Sequence, residues 1–170
     1  NITLGGVTVG SGGLTINSNG GAVGQASALT VAGTLTANTS GGNVTLATSG
    51  NQIATYAGNA GAGAVSVANA SALGLGGITA ASLSVDTSQN NSAVTQPSGN
   101  LNVSGGVTIN AGTGATTAAS TASTIGHIGT TGGATDLGAA TLVLDNVSAT
   151  TLATHTGTSG GVTQTASDTI

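Results

Sequence analysis

A four-residue pattern ending in glutamine recurs along the chain at long, nearly equal spacing: Ala22-Val23-Gly24-Gln25, Ala93-Val94-Thr95-Gln96 and Gly161-Val162-Thr163-Gln164. Their neighbours keep step. Leu29-Thr30-Val31-Ala32-Gly33 matches Leu101-Asn102-Val103-Ser104-Gly105, and Leu35-Thr36-Ala37-Asn38 matches Val107-Thr108-Ile109-Asn110. Ile2, Leu4 and Val7 align with Leu73, Leu75 and Ile78, and again with Leu142, Leu144 and Val147. Residues 1–170 therefore read as one domain built on a long repeat: 2–72, 73–141 and a partial 142–170. Self-similarity at a fixed period, here roughly 70 residues, points to stacked architectures in which each unit buries its apolar face against the next.

What stacks is β structure. Apolar residues alternate with small polar ones in very short runs, such as Ile2-Thr3-Leu4, Leu14-Thr15-Ile16, Val44-Thr45-Leu46, Val65-Ser66-Val67 and Leu83-Ser84-Val85. Period two over three residues marks a short half-buried strand. Gly, Asn and Ser clusters separate the runs and supply turns. No stretch carries the three- and four-residue apolar spacing of a helix. Disordered chains are poor in β-branched residues and rich in Pro, Glu and Lys; here Thr, Val and Ile abound and Pro97 is the sole proline.

Counting strands in the first unit gives nine, starting near residues 2, 7, 14, 22, 29, 35, 44, 53 and 64. Three turns of three strands, at about 24 residues per turn, suit a coil of triangular cross-section with parallel pairing between turns. Seven such turns would rise roughly 34 Å. Val, Leu, Ile and Ala would face inward, and Thr, Ser and Asn outward. A two-sheet sandwich is the alternative, but it calls for neither three-residue strands nor so short a repeat.

The charge pattern agrees with the coil. The chain has no Lys or Arg, and its only acidic residues are Asp86, Asp136, Asp145 and Asp168. Turn-to-turn stacking sets equivalent residues ~4.8 Å apart, and like charges directly opposite one another destabilise a sheet. Without basic side chains nothing neutralises phosphates, so nucleic-acid binding is not expected. No apolar run approaches the ~18 residues of a membrane-spanning helix. No cysteine is present for disulfides, thiolate metal sites or nucleophilic catalysis.

Several stretches resemble the long repeats of filamentous-haemagglutinin-type exoproteins. They are residues 21–34 (Gly21 to Thr34), Gly42-Asn43-Val44-Thr45-Leu46-Ala47, Gly50-Asn51-Gln52-Ile53 and residues 64–73 (Ala64 to Leu73). The resemblance covers most of the chain and is poorest from Gly112 to Ala140. It implies a right-handed parallel β-helix from a large secreted bacterial adhesin of the two-partner-secretion class. It also implies an extracellular location and a role as a stalk.

Ionisable groups are few: four Asp, two His, Tyr56 and the termini. By the register of the long repeat, Asn17, Asp86 and His155 share a loop position. That spacing puts Asp86 and His155 three turns apart, roughly 14 Å, too far to share a proton or a metal. His127 and Asp136 fall on neighbouring corners of one turn, and Asp145 is expected to cap a bend. No paired carboxylates support a glycosidase site. The Gly-Gly pairs lack the Asp of calcium-binding repeats and the Lys of a phosphate loop. The expectation is thus no catalytic, cofactor or metal residue, with Gln25, Gln96 and Gln164 as structural landmarks. Seven Asn-x-Ser/Thr triplets, at Asn1, Asn38, Asn43, Asn69, Asn90, Asn102 and Asn146, are little more than this composition produces.

The function expected is a non-enzymatic stalk or fibre segment. The alternative is a subunit that stacks end to end through open coil edges. Ile2 and Leu4 would form one edge, with Val162, Gln164 and Ile170 at the other. Partners are then chain continuation or identical subunits at the ends, with host surface or matrix polysaccharide outside. An ice-binding solenoid and a carbohydrate-active β-helix enzyme are weaker alternatives. Thr34 and Thr36 form no repeated Thr face, and the carboxylates stand apart.

Overall fold

A computed structural model describes residues 1–165 and 168–170. Among these residues there are eighteen β-strands, one 3₁₀ turn at Ser88–Asn90 and no α-helix. Every pairing between named strands is parallel and in register with the turn above or below, so the fold is a parallel β-solenoid. No helix among the described residues is long and apolar enough to cross a membrane.

Following partners from turn to turn traces three faces. On the first, Ile2, Val23, Val44, Val65, Leu83, Val107, Ile128 and Leu144 form one inward column. That is one residue per turn for about eight turns, or roughly 38 Å of coil at the parallel-strand spacing. The second face carries Val9, Val31 and Ile53 in the lower turns, then Leu73, Val94, Thr116, Thr135 and Leu152. The third carries Leu14, Leu35, Tyr56 and Leu75. These columns meet in one continuous apolar core.

The turn is shorter than the strand count implied. In the lower coil, the side-chain bonds from Asn38 to Asn17 and from Ala64 N to Asn43 each join positions 21 apart in sequence, one turn above the other. The first-face partners Ile2, Val23, Val44 and Val65 keep that same step. Higher up the steps are uneven, longest from Leu83 to Val107 and shortest from Ile128 to Leu144. The difference from expectation has an identifiable origin. The strand Gln52–Asn59 pairs with both Thr30–Val31 and Thr34–Asn38, with a register shift between. It therefore rounds a corner and supplies two faces without a Gly or Asn break at the bend. The first unit holds ten face segments instead of nine, and the chain makes eight turns instead of seven.

Ten segments are three turns plus one face, so the sequence repeat steps sideways as it climbs. Gln25 ends a first-face strand, Val23–Gln25. Gln96 follows the second-face strand Val94–Thr95. Gln164 ends Val162–Gln164, which lies over Leu142–Leu144 where the third face passes into the first. The tight corners migrate likewise. Ser18 and Thr39 donate their hydroxyls to the carbonyls of Gly21 and Gly42 at the corner between third and first faces. Thr87 donates to Ser92 O at 2.6 Å at the next corner round. Asn17, Asp86 and His155, which share a repeat position, thus sit on different faces.

Tyr56, the only aromatic residue, is fully buried in the core. Its hydroxyl has no hydrogen-bond partner among the described residues. Burial raises its pKa above the ordinary 10.0, because the phenolate would lose its hydration. Below pH 10 the phenol is neutral in both states and has no effect. Above pH 10 the unfolded chain ionises while the folded chain does not. Stability should then fall by up to about 1.4 kcal/mol per pH unit. Tyr56→Phe is expected to abolish that slope and to raise neutral-pH stability by about 1 kcal/mol, since a buried unpaired hydroxyl is removed. Urea unfolding between pH 8 and 11.5 checks both; equal slopes for the two proteins would contradict the burial.

Candidate functional site

Polar side chains in this coil have two destinations: inside corners, where they satisfy backbone, or the outer surface, where they stack. The landmark glutamines belong to the first class. Gln25 and the buried Asn51, one turn above, exchange two hydrogen bonds: Gln25 Nε2 donates to Asn51 Oδ1 at 2.8 Å and Asn51 Nδ2 to Gln25 Oε1 at 2.9 Å. Asn51 Oδ1 also accepts from Leu29 N, and its amide donates to the carbonyls of Leu46 and Ala68. Gln96 repeats the arrangement one face round, donating to Ser123 Oγ at 3.2 Å while Leu101 N donates to the same hydroxyl. The buried Asn69 binds both N and O of Ile53. These Asn and Ser residues were not singled out in the sequence. For Asn51 and Ser123 the available signal is position, 26 and 27 residues after a landmark glutamine. Gln164 is exposed.

The structure pairs His and Asp residues that the sequence register kept apart. His127 Nε2 lies 3.7 Å from Asp145 Oδ2. His155 Nε2 lies 2.8 Å from Asp136 Oδ1, and that oxygen has no other polar partner among the described residues. Each pair links the seventh turn to the eighth. The partners meet because the upper turns are short, bringing Leu144 over Ile128 and Leu152 over Thr135, an offset that the long repeat hides. His127 and Asp136 lie on neighbouring faces of the seventh turn and do not pair with each other. Nor does Asp145 cap a bend: Asn146 Nδ2 donates to its Oδ1 at 3.1 Å, and its Oδ2 faces His127. The capping carboxylates are Asp86, which accepts from Ser88 N at 2.9 Å, and Asp168, which accepts from Val147 N at 2.9 Å.

A groove of about 230 Å³ opens beside the first pair, lined by His127, Asp145, Asn110, Thr108, Thr131 and Asn146 among others. Its floor is Gly129. The outward column Thr45, Ser66, Ser84 and Thr108 continues to Gly129, where the Asp145 carbonyl oxygen lies 2.3 Å from the position a Cβ would take. Among the described residues no three His, Cys, Asp or Glu side chains gather, so the site holds two charged-type ligands at most. At the coil ends, Ile2 and Leu4 are half-buried, whereas Val162 and Ile170 are exposed.

No curated protein and no solved structure is significantly similar to the chain. The pattern of one repeat family, described as repeats of unknown function (DUF5649), matches residues 1–57 and 62–126, well over half of the sequence. The two matched segments fall on the lower six turns. The chain belongs to the DUF5649 repeat family.

Proposed function

We propose that the chain is a non-enzymatic structural module, a stiff stalk or fibre segment of a secreted bacterial surface protein. The observation that carries this reading is the unbroken inward column of eight aliphatic residues from Ile2 to Leu144. Backbone ladders run along the axis at every face, so bending the coil would break hydrogen bonds between whole turns. The resemblance of the repeats to filamentous-haemagglutinin-type exoproteins supports the extracellular, adhesin-associated part. A surface without Lys or Arg also offers no trypsin cleavage site, which suits exposure outside a cell. The test is made on intact cells of the source organism with an antibody against the folded coil. Surface labelling that proteinase K removes is the expected result. Label found only after lysis would contradict the location.

A second reading is end-to-end stacking of copies, in which the turn that carries Val162 and Ile170 meets the turn that carries Ile2 and Leu4. An uncovered sheet edge is a template for another chain. Fibres with a ~4.8 Å axial repeat in negative-stain and diffraction experiments would support it; monodisperse particles at high concentration would exclude it.

A further inference from the structure

We propose that His127 and Asp145 form a solvent-open site for a zinc-class divalent metal ion, which ties the seventh turn to the eighth. Their 3.7 Å separation exceeds the roughly 2.7–3.2 Å typical of an N–H···O bond. Two ligands on one zinc, each about 2.0–2.2 Å from the metal at a tetrahedral angle, stand about 3.4 Å apart. The pair is therefore spaced for an intervening ion. An imidazole with a carboxylate suits zinc and its neighbours, whereas calcium and magnesium favour oxygen alone.

The surroundings hold this geometry. Asn146, at a left-handed φ of 57°, donates to Asp145 Oδ1 and leaves Oδ2 toward the imidazole. Such outer contacts orient metal ligands. Gly106 gives the imidazole its berth, since a Cβ there would lie 2.3 Å from His127 Nε2. The groove lies beside the pair, and Asn110, Thr108, Gly129 and Thr131 line it. Their oxygens can hydrogen-bond the waters that complete the coordination sphere. With two protein ligands, affinity is lower than at closed four-ligand sites. The metal takes the Nε2 lone pair, so binding releases a proton whenever the imidazole begins charged. His155 and Asp136 are already in contact at 2.8 Å and do not line this groove, so they serve as an internal control.

This inference is independent of the stalk role. The test is a zinc chloride titration of the whole chain followed by proton NMR, where two imidazoles give separable signals. His127 signals are expected to shift saturably at one equivalent while those of His155 stay in place, and the thermal midpoint should rise with zinc. Asp145→Asn should weaken binding at least tenfold with an unchanged far-ultraviolet circular dichroism spectrum, and His127→Gln should abolish it. Absence of a saturable His127 shift overturns the site. So does an equal response of both histidines that Asp145→Asn leaves unaltered, which is adventitious imidazole binding.

Discussion

Asn51→Ala should cost about 3 to 5 kcal/mol, a large share of the ~5–15 kcal/mol that holds a typical domain folded. Asn51 is fully buried at an inside corner. Its oxygen accepts from Leu29 N and Gln25 Nε2, both at 2.8 Å. Its amide donates to Gln25 Oε1 at 2.9 Å, Leu46 O at 3.1 Å and Ala68 O at 2.9 Å. Alanine removes every one of these contacts and admits no replacement. Each buried group left without a partner costs about 1–3 kcal/mol; the buried Leu29 N–H is orphaned, and the bonds to Leu46 O and Ala68 O are lost with it. Urea unfolding followed by circular dichroism measures the loss. A change below about 1 kcal/mol would mean that the corner relaxes, or that water enters it. Gln25→Ala should cost less, because Gln25 is partly exposed and solvent can replace it.

Gly42→Val should do still more damage and prevent the second and third turns from stacking. A Cβ at position 42 would sit 2.3 Å from Gly21 O and 2.5 Å from its carbonyl carbon. The same contact recurs one turn up, where a Cβ on Gly63 would lie 2.3 Å from Gly42 O. The neighbour in each case is backbone, fixed by the ladder bond from Val23 N to Asn43 O at 2.9 Å. Relief therefore requires the turns to separate. We expect insoluble or unfolded protein, or a loss beyond about 4 kcal/mol, the range reserved for severe backbone or core defects. Gly24→Ala is the matched control. No atom lies within 4 Å of its Cβ position, and replacing strand glycine reduces unfolded-state entropy. It should be neutral or stabilising by up to about 1 kcal/mol. Similar losses for both variants would remove close stacking as the cause.

The class of fold could be read from short alternating runs such as Val44-Thr45-Leu46, whose valine and leucine side chains are buried and whose threonine is exposed. Three faces and inward aliphatics followed from the same runs. The pitch did not, because period-two patterning marks strands but not the corner inside a continuous one. Residues 52–59 bend between Ile53 and Tyr56 without turn chemistry, so one face was missed and each turn came out too long. That error carried into chemistry. With a longer turn and the long repeat as register, His127 and Asp145 fall on unrelated positions, although they face each other across one short turn. Buried asparagines were equally hidden: Asn51 and Asn69 look like turn residues, yet they point inward because the corner backbone needs donors and acceptors.

The charge deficit takes on a sharper meaning in this geometry. Both His–Asp pairs lie in the upper turns, whereas the inward columns below them are aliphatic apart from Tyr56 and Thr116. The same upper region carries buried Thr116 and Thr130 hydroxyls without partners among the described residues. The two His–Asp links therefore fall where packing between turns is least apolar. A metal at His127 and Asp145 would strengthen the coil at that place.

In the parallel coil Val23, Val44 and Val65 stand directly over one another through the lower turns. A chain without cysteine allows a direct test by oxidation of the double variant Thr45→Cys/Ser66→Cys. These outward residues are in-register neighbours on the first face. At ~4.8 Å, their Cα atoms fall within the roughly 4.4–6.8 Å span that a disulfide bridges. Rapid, near-complete intramolecular cross-linking of the folded protein, lost in urea, is the predicted result. Free thiols that persist after oxidation while circular dichroism shows an intact β fold would contradict that stacking.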